Sequence, residues 1–247
     1  MEVLNLRNKL LERISNSKVK AQEITSDILL LDLGEVNAYL IGDPFADRKD
    51  FALVDAGFEN SYDLIVAAVE RRFGDDTKPN SIILTHGHFD NLGSAISLSE
   101  KWDIPVFVHQ LELPYITGQK DYQMTDPNKS FPHNSLDINH RVSVLPADGS
   151  IPDMPGWKWI HTPGHTEGHI CLFREMDRTL IAGDSVLIQE DEFPHDQITE
   201  DLMAARDSLL SLKALDPYII APSHGKPLRG REAAETLDNL INNIYKI

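Results

Sequence analysis

Apolar residues along this chain fall mostly into short runs bounded by turn-forming residues, and a few longer segments show helical spacing instead. Leu4, Leu6, Leu10, Leu11 and Ile14 recur at roughly helical spacing and predict an amphipathic helix over 3–16, inside a helical extension of residues 1–20. Such a helix is expected to pack on the body or on a partner rather than on a membrane. Strands are expected near 27–32, 36–42 and 51–55. Asn60 and Ser61 can cap a helix from Tyr62 to Phe73, which Gly74 ends. Ser81-Ile82-Ile83-Leu84-Thr85 reads as a short buried strand, followed by a helix-like segment from Leu92 to Trp102 and a strand at Val106-Phe107-Val108. Segments near 141–145, 157–161, 169–174, 178–182 and 186–189 read as a second sheet. Leu202, Ala205, Leu209 and Leu212 stripe a helix near 199–214 that Pro217 closes, and a last helix runs from about Glu232 to Tyr245.

Polar turns at the ends of these strands carry the chemistry. His86-Gly87-His88-Phe89-Asp90-Asn91 follows the strand at 81–85, and four of its six side chains can bind a metal. His165 sits in Thr162-Pro163-Gly164-His165-Thr166-Glu167-Gly168-His169, where Pro and Gly make a tight turn. Asp184 follows Arg178-Thr179-Leu180-Ile181, and His224 follows Tyr218-Ile219-Ile220. One such turn is weak evidence, because paired surface histidines are common. Four strands that each end in a ligand-bearing turn point to one metal centre.

On these turns the chain resembles the metallo-β-lactamase superfamily, in the branch that includes glyoxalase II and the lactone hydrolases. Val36-Asn37-Ala38-Tyr39-Leu40-Ile41 and Ala52-Leu53-Val54-Asp55-Ala56-Gly57 look like that family's first strands, so the resemblance covers nearly the whole chain. It implies the α/β metallo-β-lactamase fold, a four-layer αββα sandwich in one domain over 1–247. It also implies that His86, His88 and His165 bind a first metal, that Asp184 bridges two metals, and that Asp90 and His224 bind the second. Asp55 and His169 are expected beside the site, supporting ligands rather than binding metal. His161 could play the same supporting part.

Residue 91 departs from the family. Its usual pattern is H-x-H-x-D-H, and this chain has Asn91 where the last histidine belongs. An amide oxygen is a poorer ligand than imidazole for borderline metals. Asn91 is therefore expected as a weak ligand, as the cap of the following helix, or as both.

Composition limits the partners. At 247 residues the chain is long enough for one large domain, and it shows no repeat or low-complexity tract. Lys+Arg 23 against Asp+Glu 39 gives a formal net charge of -16, which argues against nucleic acid as a partner. Cys171 is the single cysteine, so no intrachain disulfide can form, and its apolar neighbours predict a buried strand residue rather than a nucleophile. The first residues lack a signal pattern and no stretch is apolar enough to span a bilayer, so a cytoplasmic protein without membrane partners is expected.

His109, His133, His140 and His195 have no partner visible in the sequence and read as surface or loop residues. The irregular segment from Glu112 to His140 reads either as the element that selects substrate or as a surface loop or homodimer contact. A second rim loop runs through 189–196, and its acid cluster reads as a solvated face.

These readings lead to a hydrolase in which a metal-activated hydroxide cleaves a small ester, thioester or lactone. Zinc is the expected ion, at one or two per chain, with iron or manganese as alternatives. Asp90 is the expected catalytic residue, passing the proton to the leaving group. One alternative is a mononuclear iron enzyme like the persulfide dioxygenases, using His86, His165 and Asp184. Another is a binding protein on a scaffold that has lost activity, which the near-complete ligand set disfavours.

Overall fold

Two mixed β-sheets lie face to face, and helices cover the outer face of each. The computed structural model describes residues 20–122, 141–186 and 199–244. The seven-stranded sheet runs in chain order: β1 (Lys20–Thr25), β2 (Ile28–Asp32), β3 (Asn37–Ile41), β4 (Ala52–Val54), β5 (Ser81–Ile83), β6 (Val106–Val108) and β7 (Val142–Val144). Its first four strands form an antiparallel meander, and β4 to β7 are parallel. The five-stranded sheet is ordered β12-β11-β10-β9-β8, from β8 (Trp157–His161), β9 (Ile170–Arg174), β10 (Thr179–Gly183), β11 (Ile219–Pro222) and β12 (Leu228–Arg229). Within it only β10 and β11 are parallel.

The apolar runs are continuous because strands covered on both faces have no solvent side. In β2, Leu29 and Leu31 point to the outer core while Ile28 and Leu30 point between the sheets. In β10, Ile181 joins the layer between the sheets while Leu180 and Ala182 join the far core. Helices α1 (Tyr62–Phe73) and α3 (Ala95–Trp102) close the first outer face with Ile65, Val69, Phe73, Leu98 and Trp102. Helices α5 (Leu202–Ala214) and α6 (Arg231–Asn243) close the other with Leu209, Leu212, Leu237 and Ile241. Three cores between four layers make the αββα sandwich. Each fully buried Leu or Ile contributes about 1.5–3 kcal/mol relative to exposure.

Several sequence readings need correction. The 3–16 helix falls on residues outside those described, and Lys20, assigned to the extension, opens β1 instead. The apolar pattern does not predict β1, because KAQEIT is an edge strand with little apolar content. Residues 142–144 extend the first sheet, not the second, by pairing parallel with β6. The expected helix from Leu92 to Trp102 is two pieces, α2 (Phe89–Leu92) and α3, broken around Gly93. Ser61 makes no side-chain cap, since a 3-10 turn at Glu59–Ser61 leads into α1. α5 is capped instead by Asp201, whose Oδ1 accepts from the Met203 and Ala204 amides at 2.9 and 3.0 Å.

Candidate metal centre

Parallel pairs of strands set the site, because each pair ends on the same edge. β4 and β5 run in register from Ala52↔Ser81 to Val54↔Ile83, so Asp55 and the turn at His86 emerge side by side. β10 and β11 pair from Thr179↔Ile219, which brings Asp184 and His224 out together. Hydrogen bonds tie the two sheets at this edge. The Ile170 amide donates to the Thr85 carbonyl at 2.9 Å, and the Asn37 amide donates to the Ser223 carbonyl at 2.7 Å. The Asn37 side chain also donates to the carbonyls of Pro222 and Gly225 at 3.0 and 2.8 Å.

Three imidazoles converge at the seam. The ligating nitrogens of His86, His88 and His165 all lie within 4.8 Å of one another. His165 Nε2 is 3.2 Å from His86 Nε2 and 2.9 Å from His88 Nδ1. Nitrogens around a tetrahedral ion at about 2.0–2.1 Å would stand roughly 3.3 Å apart. Burial, reinforced by the neighbouring imidazoles, holds His86 and His88 well below their ordinary pKa, so both keep a lone pair to donate. Buried nitrogens facing one another this closely repel unless a proton or cation lies between them. The donor set fits a divalent metal.

A second group adjoins the first through one carboxylate. Asp184 Oδ2 lies 3.3 Å from His165 Nε2 and 3.4 Å from His224 Nε2. His224 Nε2 is also 3.3 Å from Asp90 Oδ2. Burial pulls the His224 pKa down, but Asp184 and Asp90 outweigh it and push it up to about 11. Asp184 Oδ1 is buried without a hydrogen-bond partner among the described residues. The side chains of His224 and Asp90 are 26% and 17% exposed, against 2% and 4% for His165 and Asp184. The site therefore opens to solvent on the His224 and Asp90 side.

Supporting contacts fix these rings. Asp55 accepts from the Thr85 amide at 2.8 Å and from its hydroxyl at 2.9 Å, and that hydroxyl lies 3.0 Å from His86 Nδ1. The chain Asp55–Thr85–His86 leaves Nε2 of His86 aimed into the cluster. Burial pushes the Asp55 carboxyl up to about 8, against the Thr85 bonds that favour its ionised form. His169 Nε2 accepts from the Asp184 amide at 3.0 Å. His224 Nδ1 donates to the Glu35 carbonyl at 2.7 Å, which turns its Nε2 inward.

Asn91 does not cap a helix. It lies inside α2, whose N-terminal flank is His88, and its amide nitrogen stands 3.3 Å from His86 Nε2 and 3.4 Å from Asp90 Oδ1. Its Oδ1 is buried with no hydrogen-bond partner among the described residues. The amide thus belongs to the cluster, and exchanging its two ends would turn the oxygen towards His86.

His161 touches no member of the cluster directly: it is exposed and its Nε2 takes a 2.9 Å bond with the Glu167 carbonyl. His109, expected on the surface, is buried and stacks on His161 with ring centroids 4.4 Å apart. Cys171 is buried in β9, and burial raises its thiol to about 11. Of the irregular 112–140 segment, residues 112–122 are described. Tyr122 packs edge-on against His88 at 4.5 Å and face-to-face with Tyr115 at 4.3 Å, so this part does border the site. His133, His140, His195 and the 189–196 loop lie outside the described residues. Sequence reasoning does not reach Glu112. Its carboxylate reaches both histidine turns, and a lone acid before a proline-containing helix gives no local signal for that.

The sequence profile of the metallo-beta-lactamase superfamily matches residues 31–224, which span every residue of the cluster. The chain belongs to the metallo-β-lactamase superfamily. It is a metallo-hydrolase-type enzyme of that superfamily, and its relatives carry such names. The probable metallo-hydrolase YflN of Bacillus subtilis is 39% identical over 234 residues, covering 85% of this chain and 88% of YflN. Hydroxyacylglutathione hydrolase GloC of Haemophilus influenzae is 24% identical over 204 residues, covering 81% of this chain and 90% of GloC. Among solved structures, TTHA1623 in a di-iron-bound form aligns with a TM-score of 0.59 at 29% identity, covering 81% of this chain and 91% of that one. Among the described residues no helix is long and apolar enough to cross a membrane.

Proposed function

We propose that this enzyme hydrolyses a small ester, thioester or lactone, and that Asp184 is shared between two metal positions. The observation that carries the reading is the single Asp184 oxygen within 3.3–3.4 Å of both His165 and His224. His86, His88 and His165 would hold the first ion, and Asp90 and His224 the second, with Asn91 a weak additional ligand. A divalent ion held there supplies Lewis acidity and brings the pKa of water down to about 7.

The chain's own residues divide the remaining work. Asp90, partly exposed at the open side, is placed to take a proton from the attacking water and return it to the leaving oxygen or sulfur. Tyr122 gives an apolar wall beside His88 against which a small acyl group can rest. The net charge of -16 favours neutral or cationic substrates over polyanions. GloC, by its name, acts on an acyl-glutathione, which supports the thioester member of the class.

Metal-loaded protein should cleave a generic aryl ester, a short lactone or an acyl thioester, and His86→Ala or His165→Ala should abolish cleavage. Full activity in both variants would remove the assignment. The iron oxygenase alternative draws support from Asn91, which weakens the second position. Oxygen uptake with a persulfide under Fe(II), without hydrolysis of the three probes, would put that alternative first.

A further inference from the structure

We infer that Glu112 is a positioning residue: it holds the His86–His88 turn and the His165 turn at the separation their shared cluster needs. The inference rests on the reading of that cluster as a metal site. Glu112 is 1% exposed, and each of its carboxylate oxygens serves a different turn. Oε2 accepts the amide of Gly87, between the two histidines, at 2.9 Å. Oε1 accepts the Thr166 hydroxyl at 2.6 Å and the Gly168 amide at 2.9 Å, both within three residues of His165. The Tyr122 hydroxyl donates to Oε2 as well, and its ring lies against His88. Four donors on a buried carboxylate make charge-assisted bonds, stronger than neutral ones.

The local alternative is that Glu112 caps its own helix. It sits at the N-terminal flank of α4 (Leu113–Ile116), yet its side chain makes no cap bond there. The carboxylate points away from α4 and into the gap between the turns.

The two turns are also bare where they meet it. A Cβ on Gly168 would lie 2.8 Å from Glu112 Oε1 and 2.7 Å from the Glu112 amide nitrogen. A Cβ on Gly87 would lie 3.2 Å from Oε2 and 2.7 Å from Ile116 Cγ1, and would collide with the Tyr122 hydroxyl. Glycine at both positions is what lets the backbone amides reach one carboxylate. Within the metal motif Gly87 and Gly168 carry no ligand; their part is this approach.

Glu112→Gln tests the claim. Glutamine fills the same volume but has one oxygen, so it cannot accept from both Gly87 and Gly168, and its NH₂ opposes one of those amides. Cobalt(II) is the probe, because its visible spectrum reports ligand geometry and its binding is read without turnover. Glu112→Gln should bind cobalt about 10- to 100-fold more weakly than the natural protein, with an altered spectrum and an unchanged far-ultraviolet dichroism of the metal-free chain. Thr166→Val and Tyr122→Phe each remove one donor and should give smaller losses in the same direction. Natural affinity and spectrum in folded Glu112→Gln would overturn the inference. If that variant does not fold, natural affinity in both single-donor variants overturns it equally. His165→Ala separates the two levels: cobalt binding that survives this change sinks the metal site itself, and Glu112 with it.

Discussion

The side-chain amide of Asn91 stands 3.3 Å from Nε2 of His86, buried in the cluster where the family usually has a third imidazole on this turn. An amide oxygen gives less to a borderline ion than imidazole does, so the two metal positions should differ in strength. Asn91→His is expected to tighten the second position at least about tenfold and bring the metal content towards two per chain. Plasma mass spectrometry before and after dialysis against a weak chelator measures this. Two ions held equally in natural protein and variant would show that the site is not asymmetric.

Asp184 and His224 should separate the two positions by mutation. Asp184 Oδ2 is within reach of both groups, whereas His224 borders only the more exposed one. Asp184→Asn is therefore expected to reduce occupancy at both, and His224→Ala to reduce only the second. Equal loss in the two variants, read as metal per chain after gel filtration, would contradict a shared carboxylate.

The cluster of His86, His88 and His165 was legible because its side chains sit on turns at strand ends, where a short apolar run followed by a polar residue is a local signal. The four-layer fold came with the family resemblance those turns carry, and the continuous apolar runs fit strands covered on both faces. What escaped was non-local. Strand β7 joins the first sheet through pairing with β6, which the residues 142–144 do not announce. Glu112 acts over 25 residues to Gly87 and 56 to Gly168, a link only the folded chain makes. Of the two parts the sequence leaves open for Asn91, weak ligand and helix cap, the cap is the one the fold excludes. Here His88 takes the flanking position and the short α2 carries Asn91 inward.

Acid should weaken the fold partly through His109. Burial, with the charge of His161 beside it, lowers the His109 pKa to about 4. In the unfolded chain histidine titrates near 6.5. Between those values the unfolded chain takes a proton that the folded chain refuses, so this stabilising contribution is lost progressively as pH falls from about 6.5 to 4. His109→Phe keeps an aromatic ring against His161 and should lose less stability over that interval. Urea midpoints at pH 7 and pH 5 test it; an equal drop in both proteins would show that His109 does not contribute.

Gly164 should resist substitution for a backbone reason. Its φ is +137°, and a Cβ there would strike the backbone of Ala205 in α5. Gly164→Ala is expected to destabilise by about 1–3 kcal/mol through strain and overpacking. Because His165 is the next residue, metal affinity should fall with stability. A thermal midpoint and metal content both equal to those of the natural protein would refute the placement of this turn.

The most direct measurement compares one preparation in two states: stripped of metal by a strong chelator, and the same sample reloaded with zinc, manganese or iron. Hydrolysis of an aryl ester, a short lactone and an acyl thioester is followed in each. Hydrolysis absent in the stripped protein and restored in proportion to added metal is the expected result. Equal hydrolysis in both states, or none of the three substrates cleaved with either position filled, would contradict a metal-dependent hydrolase of this class.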